Sequence, residues 1–129
     1  MMSDPVCVFV VDDDALILTT VEHALQDGGF VYKSATSAES AATLFSEHGE
    51  SCRALVTDVN LGGRLTGWDV ARMAREQFPT LPVVYVTGDS AHEWTAHGVP
   101  NSILVSKPFV AVQIINAVAT LLNTETPQS

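Results

Sequence analysis

The sequence predicts an α/β fold: a parallel sheet with helices on both faces. Three observations carry this. Five short apolar runs alternate with stretches of helical periodicity. The first run, Val6-Cys7-Val8-Phe9-Val10-Val11, passes directly into Asp12-Asp13-Asp14. Side chains of complementary chemistry (a carboxylate, a hydroxyl, an ammonium) stand at or just after the ends of later runs. Strand-helix-strand units of this kind cross over right-handedly, which makes the strands parallel. Ligands of open α/β sheets bind just outside the carboxyl ends of the strands.

The elements follow in order. Residues 6–11 read as a buried strand. A helix is predicted over 15–26, with Leu16, Leu18, Val21 and Leu25 at helical spacing and Gly28-Gly29 as its stop. Residues 30–34 form the second strand. The second helix, 37–47, opens on the capping residue Ser37 and carries Ala38, Ala41, Ala42, Leu44 and Phe45. The third strand is 54–57. The third helix, 66–78, places Val70, Met73 and Ala74 on one face, and Pro79 lies just past its end. The fourth strand is 83–87 and the fifth 103–105. Between them, residues 88–97 are nearly without aliphatic side chains and Gly98-Val99-Pro100 breaks the pattern, so a short or mobile fourth helix is expected. Pro108 suits the first turn of a last helix running to about Leu122, and 123–129 read as a polar, frayed tail.

Composition bounds the function. The 129 residues fit one domain, with its core over about 5–123. A net charge of -9 argues against nucleic-acid binding, and beyond Arg75 the only Lys or Arg is Lys107. No apolar run is long enough to span a membrane, and the start, Met1-Met2-Ser3-Asp4-Pro5, lacks the basic region of a signal peptide. A cytoplasmic protein is expected, with Cys7 and Cys52 as reduced thiols.

The acids carry the chemistry. Three like charges at a strand end cost free energy unless a cation neutralises them. A divalent metal site is therefore expected there; the simpler alternative is an acidic helix N-terminus. Asp58 follows the third strand, Thr87 ends the fourth and Lys107 follows the fifth. Such a crevice suits phosphoryl transfer. Asp58 can act as a carboxylate nucleophile that forms an acyl phosphate. Lys107 can neutralise charge on the transferring group. Thr87 can hydrogen-bond a phosphoryl oxygen. A hard cation such as magnesium, with manganese as the alternative, prefers these oxygen ligands.

Val10-Val11-Asp12-Asp13-Asp14, Thr57-Asp58-Val59-Asn60, Val86-Thr87-Gly88 and Ser106-Lys107-Pro108-Phe109 together resemble the signature of response-regulator receiver domains. The resemblance spans about residues 5–123. It implies a flavodoxin-like, doubly wound fold with strand order 2-1-3-4-5. It implies that Asp58 accepts phosphate from a histidine kinase or histidine phosphotransfer protein of a bacterial two-component phosphorelay. Asp12 and Asp13 match the magnesium-binding acid pair, and Asn60 the position that offers its backbone carbonyl to the metal. Thr87 matches the switch hydroxyl and Lys107 the phosphate-contacting lysine, whose bond to Pro108 is commonly cis in this family. The implied protein is a switch that signals through the face made by the fourth helix, fifth strand and fifth helix. It catalyses only its own phosphorylation and dephosphorylation.

The chain also departs from that pattern. Where the family usually carries Met-Pro or Leu-Pro after the phosphoacceptor, it reads Leu61-Gly62-Gly63-Arg64-Leu65-Thr66-Gly67, one residue longer, and a looser loop is expected. Leu104 stands where many receivers carry a switch aromatic. In the last helix the apolar arc, extended by Val112 and Ala119 on one side and Val110 and Ala117 on the other, exceeds the roughly 100° a core-facing helix needs. A protein-binding flank is expected there, for a downstream target or for self-association. His92 and His97 read as solvated, and Trp94 as partly exposed.

Other readings stay open at this point. A magnesium-dependent phosphohydrolase would use Asp12 with a second acid two residues on, at Asp14. A flavin-binding flavodoxin-like module would need a phosphate-cradling loop where this chain places acids. The chain can equally be a stand-alone switch or a receiver excised from a larger regulator or hybrid histidine kinase.

Overall fold

The computed structural model of the chain describes residues 5–125. The start read as lacking a signal peptide, Met1 to Asp4, and the last part of the expected tail, 126–129, lie outside the described residues. Five parallel strands form one sheet: β1 (Cys7–Val11), β2 (Val31–Ala35), β3 (Ala54–Asp58), β4 (Val83–Thr87) and β5 (Ser102–Ser106). Their order is β2-β1-β3-β4-β5. Register pairs Val11 with Thr57, Asp58 with Val86 and Thr87 with Ser106. The C-terminal ends of β1, β3, β4 and β5 therefore lie along one edge.

The two-residue period of the strands divides the core. Val8, Val10, Val56, Val84 and Val86 face helices α1 (Ala15–Asp27) and α5 (Ala111–Glu125), which supply Val21, Leu25, Ile114 and Val118. Phe9, Val11, Leu55, Val83 and Tyr85 face helices α2 (Ala38–His48) and α3 (Gly67–Gln77), which supply Ala41, Phe45, Val70 and Ala74. The rings of Phe9 and Phe45 meet edge to face at 4.9 Å. The three inner strands are buried throughout. That is why they read as continuous apolar runs rather than alternating ones. Truncating a side chain such as Leu55 to alanine costs about 2–5 kcal/mol.

Local chemistry starts the helices. Asp14 caps α1, its side chain accepting from the N–H groups of Leu16 and Ile17. The Ser37 hydroxyl accepts from Ser40 at the start of α2. Thr66 and Asp69 close a reciprocal capping box on α3. Helix α4 (Trp94–His97) has only four residues and follows a 3-10 turn at Ala91–Glu93. The side chains in this stretch are mostly polar or small, and no position in it is buried.

Several expectations need correction. Leu16 does not join the core: it is 77% exposed, because the buried stripe of α1 runs through Val21, Ala24 and Leu25 with Ile17 and Leu18 partly covered. Pro108 is not in the first turn of α5, which begins three residues later at Ala111. Pro108 instead follows a cis peptide bond with Lys107. The helix starts where Gln113 Oε1 accepts from the N–H of Val110 at 2.8 Å. Its end also differs: α5 runs to Glu125, so residues 123–125 are helical rather than frayed. The wide arc of α5 is largely covered, since Ala117 is buried and Ile115 and Leu122 pack against the α1 side of the core. Val110 (62% exposed) and Val112 (56%) are what remain open.

Both cysteines are free and buried. Burial pushes the Cys52 thiol up to about 12, and a hydrogen bond with Cys7 adds to this. Such thiols are unreactive.

Candidate functional site

The edge formed by the strand ends brings together five of the six predicted site side chains. Asp12, Asp13 and Asp58 can each offer one oxygen to a group lying within 4.8 Å of one another. Asp12 and Asp58 are buried and Asp13 is exposed. Lys107 Nζ lies 3.3 Å from Asp58 Oδ1. Its backbone N–H donates to the Thr87 carbonyl at 2.8 Å, tying the end of β5 to that of β4. Thr87 is fully buried, and its Oγ1 accepts from the Ser90 N–H at 3.0 Å.

Electrostatics follow from this crowding. Burial raises the Asp12 carboxyl from 3.8 to about 6. A hydrogen bond from the Asp14 N–H opposes the rise, and the neighbouring charges of Asp58 and Asp13 add to it. Burial also raises Asp58, and the Lys107 ammonium partly offsets it. Two buried carboxyls that resist ionisation, with the exposed Asp13 oxygen beside them, fit a hard divalent cation, which would neutralise all three at once.

The three consecutive aspartates thus divide. Asp12 and Asp13 turn into the site, whereas Asp14 caps α1 and takes no part in the acid group. The pairing of Asp12 with Asp14 that a phosphohydrolase reading requires is absent from this cluster.

The sixth residue, Asn60, serves the site differently. Its backbone hydrogen-bonds Asp58 and lowers that carboxyl. Its side chain turns across the mouth, where Nδ2 donates to Asp89 Oδ1 at 2.9 Å and contacts Ser90 Oγ at 3.4 Å. Ser90 was not predicted, yet it is buried and holds both Thr87 and Asp89. A hydroxyl three residues past a strand-end threonine was its only signal in the sequence.

The loop after β3 is pinned rather than loose. Leu61 is buried in the α2–α3 side of the core, and Leu65 packs against it. Gly67 begins α3 so close to β3 that an added Cβ would lie 2.0 Å from the Asp58 carbonyl oxygen. Gly62, at φ +74°, lies against Asp13: a Cβ there would meet Asp13 Oδ2 at 2.7 Å. This contact was also not predicted, because a glycine pair in a loop signals freedom rather than proximity.

Around α4, Trp68 packs on Tyr85 at 4.5 Å and faces His97 at 6.2 Å. The Tyr85 hydroxyl accepts from the Val99 N–H at 3.0 Å. Trp68 Nε1 has no hydrogen-bond partner among the described residues although it is buried. Trp94 is 36% exposed, and Leu104 packs against the same side of the core. An open groove of about 630 Å³ lies between β5 and α5, with Lys107, Pro108, Gln113 and Asn116 among its lining residues.

No helix among the described residues is long and apolar enough to cross a membrane.

Comparison with known proteins agrees with this geometry. The family described as response regulator receiver domain matches residues 8–119. The chain is 36% identical over 111 residues to a response regulator receiver protein of Anaeromyxobacter sp. (strain Fw109-5), covering 86% of this chain but only 43% of that relative. The crystal structure of a response regulator receiver protein from Sinorhizobium medicae WSM419 superposes with a TM-score of 0.90 at 38% identity, covering 95% of this chain and 98% of that one. The receiver domain of NtrX from Brucella abortus gives 0.79 at 30% identity, over 91% and 98% of the two chains. The chain belongs to the response regulator receiver domain family.

Proposed function

We propose that the chain is a phosphoacceptor switch in which Asp58 takes a phosphoryl group from the phosphohistidine of a histidine kinase or histidine phosphotransfer protein. One observation carries this: the Asp58 carboxylate shares its crevice with two further acids and is held by the Lys107 ammonium at 3.3 Å. Asp58 attacks phosphorus, an O–P bond forms, the P–N bond to the donor histidine breaks, and the imidazole leaves. Lys107 stays beside Asp58 and neutralises charge on the incoming oxygens. For Thr87 to donate to a phosphoryl oxygen, its hydroxyl must reorient within its bond to Ser90, which begins the connection to α4.

Asp12, Asp13, Asp58 and the Asn60 carbonyl are the groups that would hold magnesium, or manganese. When bound, the ion supplies neutralisation of the acids and of the phosphoryl oxygens. Output runs through the face of α4, β5 and α5, where Val112 and the groove beside Lys107 are open. That face fits a protein target or a second copy of the chain. The setting is the cytoplasm, where the kinases of such relays present their phosphohistidine. A receiver joined to further domains is the second reading of the setting, supported by the 43% coverage of the Anaeromyxobacter relative.

The test is magnesium-dependent labelling by acetyl phosphate, followed by mapping of the acyl phosphate. Labelling confined to Asp58 and lost in Asp58→Asn is the expected result. Steady turnover of a generic phosphoester without stable labelling would favour a phosphohydrolase instead.

A further inference from the structure

The acid cluster has a wall that its ligand residues do not account for. In the loop between β3 and α3, Gly62 lies so close to Asp13 that an added Cβ would sit 2.7 Å from Oδ2 and 3.8 Å from Cγ. Its φ of +74° lies in the left-handed region that favours glycine. The next residue, Gly63, has nothing within 4 Å of its own Cβ position. Closeness to Asp13 is therefore a property of one residue and not of a glycine-rich loop in general.

The loop does not reach this position by drifting. Leu61 is buried immediately before it, and the Thr66–Asp69 capping box fixes the chain after it. Between these anchors the backbone passes against the exposed carboxylate of Asp13.

We infer that Gly62 is a positioning residue for Asp13: its missing side chain lets the lengthened loop close against the carboxylate and hold it toward Asp12 and Asp58. This rests on the metal-site reading above. The atom that a side chain would strike is the far end of Asp13, which can rotate away. A substitution should therefore displace the carboxylate more readily than it unfolds the protein. The loss then falls on cation binding.

Gly29 provides the control for backbone conformation. It also has a positive φ, +89°, but nothing lies within 4 Å of its Cβ position. Gly29→Ala reports the cost of positive φ alone. Gly62→Asn adds a side chain at Asp13 while tolerating positive φ better than alanine does.

The experiment is calorimetric titration of the full chain with magnesium, beside thermal unfolding without metal. Gly62→Ala and Gly62→Asn are expected to weaken magnesium binding roughly tenfold, equivalent to about 1.4 kcal/mol. Gly63→Ala and Gly29→Ala should bind as wild type does, and Gly62→Ala should lose no more metal-free stability than Gly29→Ala. Unchanged affinity in Gly62→Asn would overturn the inference while leaving the metal site standing. A wild-type protein that binds no magnesium would overturn both, and that outcome is separate and visible.

Discussion

Asn60 Nδ2 donates to Asp89 Oδ1 at 2.9 Å, joining the loop that follows β3 to the loop that follows β4. The bond spans the mouth of the acid cluster, and Ser90 extends it inward to Thr87. Thr87 is thus linked to Asn60 through the backbone N–H and hydroxyl of Ser90 and the carboxylate of Asp89. Replacing Asn60 with alanine removes the outer end of this chain. Amide hydrogen exchange at Asp89 and Ser90 should then quicken, while exchange in β3 and β4 stays as in wild type. Equal exchange in both proteins would mean that the bridge does not restrain the loop.

Lys107→Ala removes the cation beside Asp58. Labelling by acetyl phosphate should fall roughly 100-fold, the scale of losing one preorganised charge-stabilising donor. Circular dichroism should be unchanged, because the Lys107 side chain serves Asp58 rather than the core.

Metal-free protein should lose stability as pH rises. The folded Asp12 carboxyl sits at about 6 against an ordinary 3.8, so between these values the folded state holds more protons than the unfolded chain. Stability is therefore highest below about pH 4 as far as this group is concerned, and falls as pH passes through 6. Asp58, raised in the same direction, adds to the slope. The Asp12 part alone corresponds to roughly 3 kcal/mol. Urea unfolding at intervals from about pH 3.5 to pH 7 with a chelator present measures it. Asp58→Asn, which removes one charge, should flatten the curve, and millimolar magnesium should recover stability at pH 7.

Gly67→Ala should be among the most damaging single substitutions in the chain. Its Cβ would press on the Asp58 carbonyl and the Val59 Cα, both backbone atoms that cannot rotate aside. A cost of about 3 kcal/mol is expected in denaturant titrations. Gly63→Ala, with open space around it, should be neutral or slightly stabilising.

Val112→Glu tests the open part of α5. If the α4–β5–α5 face mediates association, sedimentation with a beryllofluoride mimic should show a larger species in wild type that the variant lacks. A monomer in both, with target binding intact, would restrict α5 to its role in the core.

The strands were legible because burial on both faces leaves apolar runs such as 83–87, which need no alternation to be recognised. The edge-wise gathering of Asp58, Thr87 and Lys107 followed from parallel connectivity, since it required only that each lie at a strand's carboxyl end. Spacing could not show which of three adjacent aspartates would cap a helix, because that depends on the backbone turn after Asp13. Nor could it place Leu16: a leucine in the first turn of a helix reads the same whether the core reaches that far or not. Pro108 misled because proline suits both a first turn and the turn before it. Gly62 escaped because a contact made by the absence of a side chain leaves no mark in periodicity.

Trp68 and Trp94 are the two tryptophans of the chain. One is sealed against Tyr85, its indole N–H unpartnered, and the other stands half in water with its indole bonded to Ser102 at 2.9 Å. Trp94 opens α4, and Trp68 faces His97 at its other end, so the chain carries one buried and one half-exposed indole at the two ends of its least regular segment. Any rearrangement of α4 that exposes the Trp68 indole to water should shift its emission to longer wavelength. Movement at the far end of the sheet can thus be followed in the unlabelled protein, with Trp94→Phe isolating the dry reporter from the wet one.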